Sequence, residues 1–500
     1  MGDLLLGLDI GTSGAKAGLV DAEGRLVGLG RAAHENEKPH PGWVECDPEV
    51  WWRGALTAIR EACTTAKVGC ERVAAVGISA LFPAVIAMDR QGRALYPAIL
   101  YSDGRSIAQV GRIAEVMPRE EYERRIGNVL MPGTCAVTSL AWLREERPEA
   151  YSEAHCLGFA NTYVAHRLTG RFATDPSAVS LSGLAEVGDP WRWSGELCER
   201  LGVDAGKLPR VLGAAEVVGE VTREAARETG LREGTPVACG CGDVVASTMA
   251  AGVTGDDMVL CTTGSTDCVT MPLRRPIEDR RWANCAYIPR GLWIAIGTMT
   301  STGASVEWFV REVMGSSGEA GLEAMTELAA RSSPGAGGVV FLPYLQGERT
   351  PVWDPEARGM FFGLSTSTGR GDLARSVFEG IAMGMRQVIE SLEESLGRPA
   401  PEICVVGGAT RNAVWMQMRA DVLQRELRVW EFQEASALGA ALLGGMAAGW
   451  WESFEAAAGL ARQGRRPRTV SPRAEMAGVY ARGYEVYRGL YPAMRGVGGR

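Results

Sequence analysis

The sequence predicts an α/β fold built on mixed sheets, and three observations carry that prediction. The first thirty residues alternate short apolar runs with glycine turns, as consecutive hairpins do. A capped helix and a returning apolar strand follow, so strands and helices share one layer system. The second half of the chain then opens in the same manner as the first. With 500 residues the chain exceeds the ~250–300 at which a single core stops growing, so two domains are expected.

The elements follow in order. Leu4–Asp9 is an apolar run, broken by Gly11-Thr12-Ser13-Gly14. Lys16–Asp21 is a second short strand, and Arg25–Ala32 a third beyond the turn at Asp21–Gly24. Residues 48–66 read as a helix with Asp47 as its cap and Pro48 in its first position. Val73–Ser79 returns as a buried strand. Later, Pro236–Cys239 runs into Gly240-Cys241-Gly242-Asp243. Asp257–Cys261, the turn Thr262–Ser265 and Asp267–Met271 repeat the opening pattern, and Glu402–Val406 leads into Gly407-Gly408. The boundary is therefore placed between 1–248 and 249–500. The longest apolar stretch, Ala435–Trp451, is about 17 residues and rich in small side chains, so it reads as a buried helix rather than a membrane span.

Composition narrows the classes of function. Apolar residues at 46% and charged residues at 22% exclude general disorder. Glycine supplies 64 of 500 residues against a usual ~7%, an excess that belongs in turns and close approaches of a folded chain. The net charge of −8 argues against a nucleic-acid partner. Only Lys16, Lys38, Lys67 and Lys207 are lysines. The opening residues lack the basic segment of a signal peptide, and the twelve scattered cysteines read as reduced thiols, so a cytoplasmic protein is expected. Cys239-Gly240-Cys241 is too tight for zinc.

Three turns offer phosphate chemistry. Asp9-Ile10-Gly11-Thr12-Ser13-Gly14 combines backbone N–H groups, two hydroxyls and a carboxylate, a nest for phosphate with an acid beside it for Mg2+; a glycine turn without ligand is the plainer reading. Thr262–Ser265 and Gly407-Gly408-Ala409 are two more such loops. No G-x-x-x-x-G-K-[ST] occurs, which excludes a P-loop, and no G-x-G-x-x-G opens a helix after a strand. Asp243 follows a glycine pair and precedes Val244–Ala251, so it either caps a helix or projects into a cleft, and both can hold together.

At these residues the chain resembles the FGGY carbohydrate kinases, over nearly its full length. The resemblance runs through Asp9-x-Gly11-Thr12-Ser13, Pro41–Trp52, Ser102-Asp103-Gly104-Arg105, Asp243, Gly347–Pro351 and the turn at 407–409. Gly359-Met360-Phe361-Phe362-Gly363-Leu364, then Asp372–Glu379 after seven residues, satisfies the C-terminal signature of that family; in the N-terminal signature Ser139 stands where lysine is expected. The resemblance implies two actin-like (ribonuclease H-like) domains around a central cleft, the first on the sugar side and the second on the nucleotide side. It implies ATP and Mg2+ as cofactors and a sugar or polyol as partner, with no membrane, and it leaves a homodimer open. Carried over residue by residue, Asp243 is the catalytic base. Asp9 and Asp243 hold the metal. Gly11, Thr12, Ser13 and Lys16 form the first phosphate hairpin, Thr263 and Gly264 the second, and Gly303, Gly408 and Asn412 the remaining nucleotide contacts. The second loop reads Thr262-Thr263-Gly264-Ser265 where the family usually has Gly-Thr-Ser-Gly.

The departures concern the acceptor. Where xylulose kinases carry a Met-His pair that meets the sugar, this chain has Phe82-Pro83, and Val244 replaces the polar residue after the base. Fewer polar contacts mean weaker discrimination among hydroxyls. Xylulose is the single best-matching acceptor, with other ketoses, polyols and sugar acids open. Asp103 and Arg105 are either sugar contacts from the other wall or a structural ion pair. Trp51 and Trp52 are expected in the core because of their helical setting. The rival class is an actin-like ATPase without a sugar substrate.

Overall fold

The computed structural model describes residues 3–432 and 434–495. The chain forms two compact units that no single cut after residue 248 separates. One comprises Met1–Thr254, Pro272–Ala295 and Gln433–Arg465, the other Gly255–Met271, Ile296–Phe432 and Arg466–Arg500.

In the first unit the expected hairpins form as β1 (Leu4–Gly11), β2 (Gly14–Val20) and β3 (Leu26–Ala33). The helix Pro48–Ala66 starts where predicted: Asp47 caps it by accepting the N–H of Glu49 at 3.0 Å, and Pro48 takes the first position. Trp51 and Trp52 lie within the core. The main sheet orders Val217–Glu220, Pro236–Ala238, Val73–Ala80, β1, β2, β3, and Cys241–Gly242 adds to the end of Val73–Ala80. β1 is antiparallel to β2 and parallel to Val73–Ala80, hence the mixed sheet.

The second unit repeats that pairing. Met258–Thr263 is antiparallel to Asp267–Leu273 and parallel to Glu402–Gly407, and the sheet continues to Leu427–Val429 and Arg468–Val470. The shared plan of the two openings is thus a property of the backbone, carried by very few shared residues.

Glycine explains how the first unit closes. Gly18, Gly7 and Gly77 are register partners on β2, β1 and Val73–Ala80, a row of three residues without side chains. The helix Ala435–Ala447 lies on this row. A Cβ on Gly7 would fall 1.8 Å from the carbonyl oxygen of Ala437, and one on Gly77 would fall 1.7 Å from that of Ala440. A Cβ on Gly439 of the same helix would likewise fall 2.0 Å from the carbonyl oxygen of Ala246. The predicted buried helix is therefore seated on bare backbone. Among the described residues no helix is long and apolar enough to cross a membrane.

One sequence expectation is corrected. Cys63 and Cys70 are disulfide-bonded, leaving ten free cysteines of the twelve. The left-handed turn at Lys67 that ends the Pro48–Ala66 helix folds the chain back and brings the two Cα atoms to 5.8 Å.

The glycine row gives a stability test. Gly77→Ala forces the helix off the sheet, and overpacking costs about 1–3 kcal/mol. At ~2–4 °C per kcal/mol the melting temperature should fall by several degrees. Gly459→Ala, whose Cβ meets nothing within 4 Å, should leave it unchanged. Equal melting temperatures for the two variants would show that the helix is not seated this tightly.

Candidate active site

Sheet register assembles the first unit's polar residues into a second row. Arg31 of β3 faces Lys16 of β2, Lys16 faces Asp9 of β1, Asp9 faces Ser79, and Ser79 faces Cys241. Side chains two residues apart on a strand share a face, so this row lies beside the glycine row and on its side of the sheet. Asp9 is 3% exposed and accepts a hydrogen bond from the Ser79 hydroxyl at 2.7 Å. Lys16 Nζ pairs with Glu434 at 2.7 Å, and Arg31 reaches the other oxygen of Glu434 at 2.6 Å.

Burial pushes the Asp9 carboxyl above its ordinary value, with Lys16 and Ser79 pulling the other way. Burial works against the Lys16 ammonium, but Asp9 and Glu434 raise it regardless.

Asp243 extends the row. Gly242 pairs with Ala80 at the sheet edge and is the cap of the next helix, so Asp243 is the first residue of Asp243–Ala250 rather than its cap. Its Oδ1 accepts the neighbouring Val244 N–H at 2.8 Å, and the residue keeps part of its surface open. Burial, and then the negative charge of Asp9, push its carboxyl up to about 7. A carboxylate poised near neutrality and open on one side is suited to proton transfer.

The hairpin turn beside the row is held from behind. Asn36 Nδ2 donates to the Thr12 carbonyl at 2.8 Å, the His34 N–H donates to that of Ser13 at 3.0 Å, and Ser13 stands exposed. Gly11 and Gly14 are register partners that flank Thr12-Ser13. Phe82 is half-buried, and its ring is set so close to Gly242 that a Cβ there would lie 1.9 Å from it; Pro83 is buried. Phe82, expected on the acceptor side, thus lies against the residue that precedes Asp243.

Asp103 and Arg105 are engaged with one another instead. Arg105 grips Asp103 through two hydrogen bonds of 2.9 and 2.7 Å and reaches Glu45 at 2.8 Å. Its guanidinium lies 3.8 Å from the centre of the Trp43 ring, and neither side chain of the pair has any exposed surface.

In the second unit Thr263, Gly264, Gly303 and the 407–408 turn come together. Thr263 Oγ1 donates to the Val406 carbonyl at 2.8 Å. The N–H groups of Gly303 and of Thr302 donate to the carbonyls of Gly264 and Ser265, each at 3.1 Å. A Cβ on Gly303 would lie 2.3 Å from Gly264 O, and one on Gly407 2.1 Å from Thr263 O, whereas one on Gly408 would meet nothing within 4 Å. Below them Asp267 accepts from Gly264 N–H at 3.3 Å and from the Thr302 hydroxyl at 2.8 Å, and pairs with Arg419 at 2.7 Å. Asn412 caps the helix Ala413–Leu423 and bonds Thr326. Glu348, within the Gly347–Pro351 motif, accepts the Thr300 N–H at 2.7 Å, and burial pushes its carboxyl to about 7.

Sequence reasoning missed Ser79, Glu434, Asp267 and Arg419. Ser79 carried a local signal, a hydroxyl at the end of an apolar strand that pairs with the one holding Asp9. The ion pairs of the other three join residues more than a hundred positions apart in the chain.

Comparison with known proteins identifies the family. The N-terminal domain model of the FGGY family of carbohydrate kinases matches residues 4–250 and the C-terminal domain model residues 259–448. The glycerol kinase of Thermococcus gammatolerans is 33% identical over 90% of this chain and 90% of its own length. The L-xylulose/3-keto-L-gulonate kinase of Escherichia coli is 30% identical over 98% and 97%. The crystal structure of xylulose kinase from Rhodospirillum rubrum superposes with a TM-score of 0.87 at 30% identity, covering 98% of this chain and 99% of that one. Paired hairpins ending in Thr-Ser and Thr-Gly turns, a carboxylate at the head of a helix and both domain models together identify the chain as a member of the FGGY family of carbohydrate kinases.

Proposed function

We propose that the protein transfers the γ-phosphoryl group of ATP to a hydroxyl of a sugar or polyol, with Asp243 as general base. The observation that carries this reading is the Asp243 carboxyl, open on one side and poised at about 7 beside a second buried carboxylate. As the acceptor oxygen bonds to phosphorus, Asp243 takes its proton and the bond to the ADP oxygen breaks. Such transfers need little covalent help, so positioning and charge carry most of the rate. Thr12, Ser13 and Lys16 in the first unit, and Thr263, Gly264, Gly303, Gly408 and Asn412 in the second, are the proposed nucleotide contacts. The Asp9 charge opposes ionisation of Asp243, and two hard oxygen donors with negative charge fit Mg2+, which would neutralise phosphate charge.

Similarity to kinases named for glycerol, xylulose and gluconate supports a small polyhydroxylated acceptor. A coupled ADP-release screen across ketoses, alditols and aldonates tests the reading. Sugar-dependent release supports it; release of ADP without any sugar would favour an actin-like ATPase.

Asp243→Asn should cost ~10²–10⁴ in kcat while ATP binds within a few-fold of the parent. In the parent, kcat/KM for the acceptor should rise with pH through a limb near 7, where Asp243 becomes a base. The same shift makes the fold lose stability as pH rises between about 4 and 7, because the unfolded carboxyl releases its proton first. A variant keeping more than a tenth of kcat, or a profile flat across pH 7, would remove Asp243 from this role.

Asp9→Asn should raise the Mg2+ concentration for half-maximal rate and move the acid limb to lower pH, since the Asp9 charge helps hold Asp243 up. Unchanged Mg2+ titration and pH profile together would count against the assignment.

Phe82 and Pro83 offer a sugar hydroxyl no side-chain hydrogen bond. An unpaired hydroxyl loses roughly 1–3 kcal/mol, or about 5- to 150-fold in kcat/KM. D-xylulose should therefore show a KM above the usual ~1 μM–1 mM or be outperformed by a less polar acceptor. Steady-state kinetics across the panel decide this, and a sub-millimolar KM with no better substrate would contradict it.

A further inference from the structure

Glu434 has no role in the chemistry above, and its setting calls for one. It occupies the cap position of the helix Ala435–Ala447 with φ 49° and ψ 60°, a left-handed conformation that residues other than glycine seldom adopt. Residues at that position ordinarily bond the first-turn N–H groups with a short side chain. Glu434 makes no such bond. Its two oxygens divide instead between Lys16 at 2.7 Å and Arg31 at 2.6 Å. Lys16 in turn has two carboxylates available, Asp9 as its register partner and Glu434 above the sheet, and it hydrogen-bonds to Glu434.

We propose that Glu434 is a positioning residue for phosphoryl transfer, which holds the Lys16 ammonium away from Asp9 and so keeps the Asp9 carboxylate available. A lysine is a point charge on a flexible stem and follows the nearest anion. Without Glu434 the ammonium closes onto Asp9, and the carboxylate assigned to the metal is neutralised by a side chain. The inference rests on the kinase reading.

The test is a double-mutant cycle. Glu434→Ala should lower kcat about tenfold and raise the Mg2+ requirement to a similar degree. Glu434→Gln, which still accepts from Lys16, should fall in between. In a Lys16→Met background Glu434→Ala should add less than twofold to either, because the residue acts through Lys16. A loss of equal size in both backgrounds would mark a merely structural residue and overturn the proposal. A crystal structure of Glu434→Ala gives a readout independent of turnover: Lys16 Nζ should lie at hydrogen-bond distance, ~2.7–3.2 Å, from the Asp9 carboxylate. Lys16 left in its parental position would also overturn it. A parent enzyme inactive on every acceptor would instead defeat the kinase reading, with the crystal structure still deciding where Lys16 goes.

Discussion

Everything in the first unit depends on one contact of unusual closeness, the seating of a helix on strand backbone. Helices ordinarily stand off a sheet by the thickness of two side-chain layers. Here Gly18, Gly7 and Gly77 remove one layer across three neighbouring strands, and Ala437, Ala440 and Ala441 thin the other. The consequence is geometric. Two residues along each strand the same face carries Lys16, Asp9 and Ser79, so a helix this low delivers its cap residue, Glu434, to the charged row. The opposite contact, Gly439 against Ala246, ties in the helix that Asp243 begins. One rigid packing thus fixes both carboxylates and the ion pair above them, which suits chemistry that relies on positioning.

The electrostatics of the row follow from its burial. Burial disfavours the charges of Asp9, Asp243, Glu434 and Lys16 separately, and Arg31 pairs with Glu434 from the outside. The outcome differs by residue. Glu434 has two cations and stays below its ordinary value although burial opposes this. Asp243, whose charge Lys16 favours less than burial and Asp9 oppose it, rises to about 7. The environment therefore sorts three chemically similar carboxyls into a paired anion, a buried hydrogen-bond acceptor and a carboxyl raised to about 7, without any change of residue type beyond Asp and Glu.

Much of this was legible in the sequence, and the division between what was and was not is physical. Hairpins, the Asp47 cap and the three glycine turns are local: glycine, proline and short polar residues act within a few positions of themselves. The placement of Asp9 at the end of an apolar strand and of Asp243 behind Gly242 could be read for the same reason. What could not be read is set by long-range packing. Ser-Asp-Gly-Arg at 102–105 does not say whether Arg105 faces a ligand or Asp103; Trp43 and Glu45, from a separate segment, close around it. The Cys63–Cys70 pairing needed the left-handed turn at Lys67, where a lysine gives no sign of positive φ. Glu434 reads as an ordinary acid before an apolar helix until β2 and β3 are placed beneath it.

The weave of the chain has a bearing on how the protein is made. The sheet carrying Asp9 is complete, in its strands, once residue 242 has been synthesised, yet the helix that covers it begins at Ala435. At ~5–20 residues per second, the glycine row waits roughly 10–40 s on the ribosome for its covering helix. During that interval the bare strand backbone and the apolar face around it are open to water, to chaperones and to other nascent chains. The enzyme's charged row is therefore among the last parts of the molecule to be sealed, and the same glycines that permit the final fit leave the half-made sheet with the least protection.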